Sequence, residues 1–358
     1  MEKDMKKRVL FLSEQQKKEY LGGAKARKDI DLILKQLGYK EIICRPCRDF
    51  SSPKNVINSL YSIQVNWIKI KRIIRDNDIL VIQYPFGKYD VNDRQIAKIK
   101  KTKKVDFIAI IHDLPSIQDK TADKLEEIKL LKKFDIVICH NKKMLEVLKE
   151  LGIDNNKLVC LEIFDYLCNE DIKARVSKDD GITVAGNLSS SKAGYIYKLL
   201  DKCNEENIIF NLYGPNFERD NESSYNGSLP PEELIKKIKG SYGLIWDGDS
   251  LELCNGTFGE YQKINNPHRV SMNLAAKMPI LIWKEAALKD FVIDNNIGVA
   301  IDSLKNIKDI LNSIKDSDYD IMRDNLESVS KKIRSGYYTK KAINEAILKL
   351  EGEKNGKV

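Results

Sequence analysis

Histidine is scarce in this chain, with only His112, His140 and His268 among 358 residues. A metal centre built on imidazoles has little to draw on, and a second CxxC that could complete a zinc site is also missing. The seven cysteines are odd in number and scattered. Cys44 and Cys47 stand at CxxC spacing, but Cys44 ends the strand-like EIICR, whereas redox chemistry favours a first cysteine at a helix N-terminus. Ordinary reduced thiols are expected. No apolar run approaches the roughly 20 residues that span a bilayer. The N-terminal VLFL is too short for the core of a signal peptide, so a cytoplasmic protein is the default. Basic residues are not interleaved with aromatics, and no nucleic-acid-binding module is recognisable, so no nucleic-acid partner is expected.

What is present describes a soluble globular protein: 42% hydrophobic and 32% charged residues, with a net charge of +8. Lysine runs such as Lys98–Lys104 mark a solvated face. The positive balance leaves open a weak attraction to an anionic membrane surface, which would put the protein at the inner face of the cell membrane, or to a phosphorylated substrate. The length suits two domains. Short apolar runs at 8–12, 41–45, 79–84, 107–112, 135–140 and 157–164 alternate with amphipathic segments. One of these segments closes on Gly38, a helix C-cap. Near-continuous hydrophobic strands between helices indicate a parallel sheet covered on both faces, a Rossmann-like unit. After a polar stretch around 173–181 the pattern restarts, with strands expected at 182–186, 208–214, 242–247, 279–283 and 298–301. Two α/β domains are therefore expected, 1–170 and 171–334. A last helix at about 335–352 would pack elsewhere, back across the first domain.

Ligands of open parallel sheets bind beyond the carboxyl ends of the strands, so the loops there are the candidate sites. After the first strand, Gly22 and Gly23 let backbone approach a ligand, or serve as a flexible turn; no GxGxxG is present. His112 and Asp113 close a buried strand. The pair could bind a sugar hydroxyl, or Asp113 could act as a general base; the other reading is that Asp113 caps the next segment, with Pro115 turning the chain. His140 and Asn141 close the following strand, and Asn141 reads as a helix cap. In the second half, Gly186 and Asn187 leave a strand ahead of three serines and Lys192, a helix start suited to an anion. Tyr213 and Gly214 form a small turn that could border a nucleobase. Asp247 begins a loop rich in acids and glycines. Then comes EYQKINNPHR, with Glu260, Tyr261, Asn265, Asn266, His268 and Arg269. An asparagine is expected to cap a helix there, with Pro267 at its first position and His268 and Arg269 in its first turn, where a diphosphate could bind.

The segments GLIWDGDS, FGEYQKINNPHR, LAAKMPILIWKEAALKDFV and NNIGVAIDSL together resemble the C-terminal domain of bacterial sugar transferases of the β-1,6-galactofuranosyltransferase type, relatives of the glucosyltransferases that extend glycans on serine-rich-repeat adhesins. The resemblance is specific over about 180–305. It implies a GT-B fold, two Rossmann-like doubly wound domains facing across a cleft, with a UDP-sugar held mainly by the second. It also implies no cofactor and no obligatory metal. By this resemblance Asn265, Asn266, His268 and Arg269 lie at the diphosphate and Lys284 near the donor. Tyr213, Gly214 and Asp247 border the nucleotide, and Gly22, Gly23 and Asp113 face the acceptor. Many GT-B enzymes carry an acidic residue a few positions into this helix for the ribose. Here RVSMNLAA offers Ser271 and Asn273, so ribose recognition falls to Glu260 or the Asp247 loop.

The expected activity is transfer of a hexosyl group (galactofuranose, glucose or galactose) from a UDP-sugar to a glycan, glycolipid or glycoprotein acceptor in cell-surface polysaccharide or glycoprotein synthesis, by a homo-oligomer. Two alternatives stand beside it. A UDP-sugar epimerase on the same fold would need more acids and histidines to move protons. A catalytically inactive GT-B binding subunit would bind UDP without turnover.

Overall fold

Runs of β-branched and other apolar residues become strands here because flanking helices cover both of their faces. The computed structural model describes residues 7–14, 22–49 and 51–355. One sheet holds β1 (Val9–Glu14), β2 (Lys40–Cys44), β3 (Ile79–Tyr84), β4 (Asp106–Ile111), β5 (Ile136–Cys139) and β6 (Leu158–Cys160), in the order β2-β1-β3-β4-β5-β6. The other holds β7 (Ile182–Ala185), β8 (Phe210–Tyr213), β9 (Tyr242–Ile245), β10 (Ile280–Trp283) and β11 (Gly298–Ile301), in the order β11-β10-β9-β7-β8. Every pairing is parallel. All the strand runs read from the sequence are present, and both sheets are doubly wound.

Each sheet reverses its winding at one place, between β1 and β3 in the first and between β7 and β9 in the second. The ladders there stop early. β1 and β3 pair only as far as Phe11↔Val81, and β7 and β9 only at Ile182↔Tyr242 and Thr183↔Gly243. Beyond those pairs the carboxyl ends lack a mutual ladder, which is where an open α/β sheet offers a crevice.

Two units are formed. One comprises β1, the chain from Ile30 to Leu161 and the chain from Thr339 onward; the other comprises the helix Gly22–Gln36 up to Asp29, together with Glu162–Tyr338. The division falls at Leu161/Glu162 rather than near 170, because Ile163 and Tyr166 belong to the apolar core of the second unit. In the first unit, Ile343, Ala346 and Leu350 of the C-terminal helix Tyr337–Asn355 are buried, and Lys349 Nζ donates to Leu158 O at 2.7 Å. Among the described residues no helix is long and apolar enough to cross a membrane. None of the seven cysteines, all of them among the described residues, forms a disulfide. Burial pushes the Cys44 thiol up to about 12 and raises Cys47 as well, which leaves this pair unreactive rather than redox-active.

Candidate active site

The second unit builds its polar centre at the β7/β9 reversal. Asp247 follows β9 and is buried. Its Oδ2 accepts from Arg269 Nη2 at 2.5 Å and from Gln262 Nε2 at 2.6 Å, and its backbone N–H donates to Cys254 Sγ at 3.4 Å. Burial opposes charge on Arg269, but the Asp247 carboxylate outweighs it and holds the guanidinium firmly protonated. Among the described residues the guanidinium is engaged through Nη2, which also reaches Trp246 O at 3.4 Å, so Nε and Nη1 have no partner among these residues. Asp247 thus aims Arg269. Arg269 is aimed by its helix as well. The helix His268–Ala275 lies close on β9 because Gly243 has no side chain; a Cβ there would stand 2.5 Å from Asn273 Cγ.

The helix start differs from the sequence expectation. Pro267 takes the N-cap position and no side chain caps the first turn. Asn266 Nδ2 donates to Glu162 O at 3.0 Å, and Asn265 Oδ1 is buried without a partner among the described residues. His268 does not serve as a cation. Its ring stacks on Tyr166 at 5.2 Å between centroids and meets Phe164 edge-on at 6.1 Å, while Nε2 lies 3.2 Å from Asp165 O. Burial pulls its pKa down to about 4, so the imidazole is neutral at pH 7.

Other expected residues are placed as follows. The helix expected after the three serines starts within them and is one turn, Ser190–Ala193, and its Ser190 N–H donates to the Glu218 carboxylate at 2.9 Å; the chain itself supplies the anion there. Lys192 Nζ lies 4.6 Å over the Phe258 ring. Asn187 Oδ1 accepts from Ser189 N at 3.1 Å and from Asn216 Nδ2 at 3.0 Å. Gly186 and Gly214 touch: at a φ of +140°, a Cβ on Gly214 would stand 1.7 Å from Gly186 O. Tyr213 Oη accepts from Lys239 N at 3.2 Å and donates to Lys237 O at 3.4 Å. Tyr261 is buried; Glu260 pairs with Lys263 at 2.8 Å and Lys284 with Asp302 at 2.9 Å, both exposed. Lys263 Nζ also lies 5.5 Å over the Trp283 ring.

Gly22 and Gly23 open the helix Gly22–Gln36, whose residues up to Asp29 cluster with the second unit. Their expected place on the first domain is therefore corrected. The cause is a buried pair, Lys25 Nζ to Asp29 Oδ1 at 2.5 Å, closed by Lys25 Nζ to Leu167 O at 3.0 Å and Leu167 N to Asp29 Oδ2 at 2.9 Å. Asp29 is raised to about 6 by burial, against the pull of Lys25.

In the first unit His112 follows β4, and its backbone N–H donates to Tyr84 O at 2.8 Å. Asp113 is not a helix cap: Leu114 occupies that position before the helix Pro115–Gln118, and Asp113 Oδ1 accepts from Gln118 Nε2 at 3.0 Å. Asn141 does cap the helix Lys142–Glu150, accepting from Met144 N at 2.9 Å. Sequence reasoning missed Gln262, Cys254 and the residues that surround His112, none of which carries a local motif.

Two doubly wound parallel sheets, the second with a buried arginine–carboxylate pair at its winding reversal, make up the GT-B fold. Consistent with that fold, HepE of Anabaena, solved in complex with UDP and glucose, superposes with a TM-score of 0.60 over 96% of this chain and 99% of that one, at 11% identity. The N-terminal domain model of the glucosyltransferase 3-like family matches residues 9–163 and its C-terminal domain model residues 182–346. The chain belongs to that family. It is 34% identical to the β-1,6-galactofuranosyltransferase WbbI of Escherichia coli K12 over 278 residues, 76% of this chain and 80% of that protein. Glucosyltransferase 3 of Streptococcus gordonii is 22% identical over 331 residues, 91% of this chain and 94% of the relative.

Proposed function

We propose that this enzyme transfers a hexosyl group, with galactofuranose first among galactofuranose, glucose and galactose, from a UDP-sugar to a glycan, glycolipid or glycoprotein acceptor in cell-surface glycan synthesis. The observation that carries the reading is Arg269, held in the first turn of an uncapped helix by Asp247, whose carboxylate Gln262 holds in turn. Breaking the sugar–phosphate bond loads negative charge onto the departing diphosphate. A guanidinium aimed in advance, together with outward N–H groups at the positive end of a helix, stabilises that charge as it develops. No obligatory metal is needed in this scheme. Glu260 or the loop after Asp247 takes the ribose, and Lys284 stands at the donor side. The order among donors follows the more similar relative, whose name specifies galactofuranosyl transfer.

On the acceptor side, His112 and Asp113 take the proton of the attacking hydroxyl and orient the incoming group. Work at a cytoplasmic membrane face and assembly as a homo-oligomer belong to the same proposal. Its test is a thermal shift with UDP at millimolar concentration in the presence of EDTA. A rise of several degrees is expected; an unchanged Tm removes the donor site.

A further inference from the structure

Four polar side chains meet where β1 and β3 part. Ser13 and Gln83 are the next same-face positions beyond the last paired residues, Phe11 and Val81. Asp31, from the following helix, bridges them: Ser13 Oγ donates to Oδ2 at 2.7 Å and Gln83 Nε2 donates to Oδ1 at 2.7 Å. Gln83 Oε1 then lies 2.7 Å from His112 Nε2. Gln83 and His112 are both buried.

The directions of these bonds follow from chemistry. An ionised carboxylate only accepts, so the end of the Gln83 amide that faces Asp31 must be its NH2. The other end is a carbonyl oxygen, which also only accepts. The imidazole nitrogen facing it must therefore carry the proton. We propose that Asp31 and Gln83 are positioning residues for the transfer reaction, holding His112 as the Nε2–H tautomer through the chain Ser13–Asp31–Gln83–His112, so that Nδ1 is the basic nitrogen of the ring. This rests on the acceptor-side role given to His112 above.

The arrangement resembles the outer-layer carboxylates and amides that fix histidine tautomers in other sites, where their loss costs roughly ten- to hundredfold in activity. A purely structural contact at this depth would be met at least as well by apolar side chains of the same volume, because a buried polar chain is tolerated only when every member is satisfied. The backbone of His112 is already tied to Tyr84 O, so the Gln83 amide governs the ring and not the strand.

The test uses the full-length protein labelled with 15N-histidine, whose three imidazoles are distinguishable by long-range 1H–15N correlation, the His112 signal being assigned with His112→Ala. Kinetics are read as UDP release from whichever of UDP-galactofuranose, UDP-glucose and UDP-galactose turns over. His112 is expected as Nε2–H in the wild type and as a tautomer mixture in Gln83→Met, which removes the amide at similar volume. The kcat of Gln83→Met should fall about tenfold or more with donor KM changed less than about threefold. Asp31→Asn, which lets the Gln83 amide turn over, should show the same trends more weakly. A wild-type ring protonated on Nδ1, or one that stays Nε2–H in both variants, overturns the proposal. So does wild-type kcat in Gln83→Met when His112→Ala has lost it. If instead His112→Ala retains full turnover, the acceptor-side role of His112 fails and the proposal with it, whereas the spectra report separately whether the tautomer chain itself holds.

Discussion

At the scale of single residues, what a side chain does here depends on what it is tied to rather than on its type. Arg269 is the direct case. Replacing it with alanine removes charged hydrogen bonds of about 1.5–3 kcal/mol, so UDP should bind roughly ten- to hundredfold more weakly by calorimetry. Arg269→Lys keeps the charge without the fork and should fall between. The helix that carries Arg269 was legible, since Asn-Pro ahead of His268 reads as a helix start. Its aiming partners were not: Gln262 lies 15 positions from Asp247, and nothing local links them. His268 was misread for a related reason. Its type suggests a cation, but the aromatic slot between Phe164 and Tyr166 is a product of tertiary packing. His140 gives a pH prediction. It is fully buried, and desolvation takes its pKa to about 4 from an unfolded value near 6.5. A group depressed on folding stabilises above its unfolded pKa and loses that contribution as pH falls through its folded value. Stability should therefore drop by about 3 kcal/mol between pH 7 and pH 4 on account of His140. The raised carboxyls of Asp29 and Asp31 act in the opposite sense over part of this range. The measurement is thus a difference: denaturation midpoints of His140→Gln should vary less with pH between 7 and 4 than those of the wild type.

At the scale of elements, the strands were legible because a strand buried on both faces has to be apolar nearly throughout, and such runs stand out between helical periodicities. Helix starts were less so. Pro267, rather than either asparagine, became the N-cap, because Asn266 bonds instead to Glu162 O, an acceptor 104 residues away that no local rule anticipates. Close approach makes two further predictions. Gly243→Ala should push the helix His268–Ala275 away from β9, since the new methyl would meet the Asn273 side chain. About 1–3 kcal/mol of stability should be lost, and UDP affinity should fall with it because Arg269 shifts off Asp247. Unchanged UDP affinity in a folded Gly243→Ala protein would mean that the helix position does not govern Arg269. Gly214→Ala brings a Cβ against Gly186 O in a backbone conformation reserved for glycine. It should lower Tm more than Gly38→Ala, where φ is also positive, at +79°, but open space surrounds the position.

At the scale of the whole molecule, both doubly wound sheets agree with what the strand–helix pattern implied, and the family membership agrees with the resemblance of the second-half motifs. The division of the chain did not follow the pattern as closely. Two apolar residues, Ile163 and Tyr166, draw the segment after Leu161 into the second unit, and the Lys25–Asp29 pair draws the start of the first long helix there too. Neither could be read locally, since both depend on which core a residue finally joins. The central claim is that this molecule is a UDP-hexose-dependent glycosyltransferase whose leaving group departs against Arg269. The most direct measurement is acceptor-dependent release of UDP from UDP-galactofuranose, UDP-glucose and UDP-galactose, with EDTA present, for the wild type and Arg269→Ala. The account predicts release from at least one donor, fastest from UDP-galactofuranose, stimulated by an acceptor glycan and reduced at least about tenfold in Arg269→Ala. Absence of release from all three, or a folded Arg269→Ala protein with wild-type rates, would contradict it.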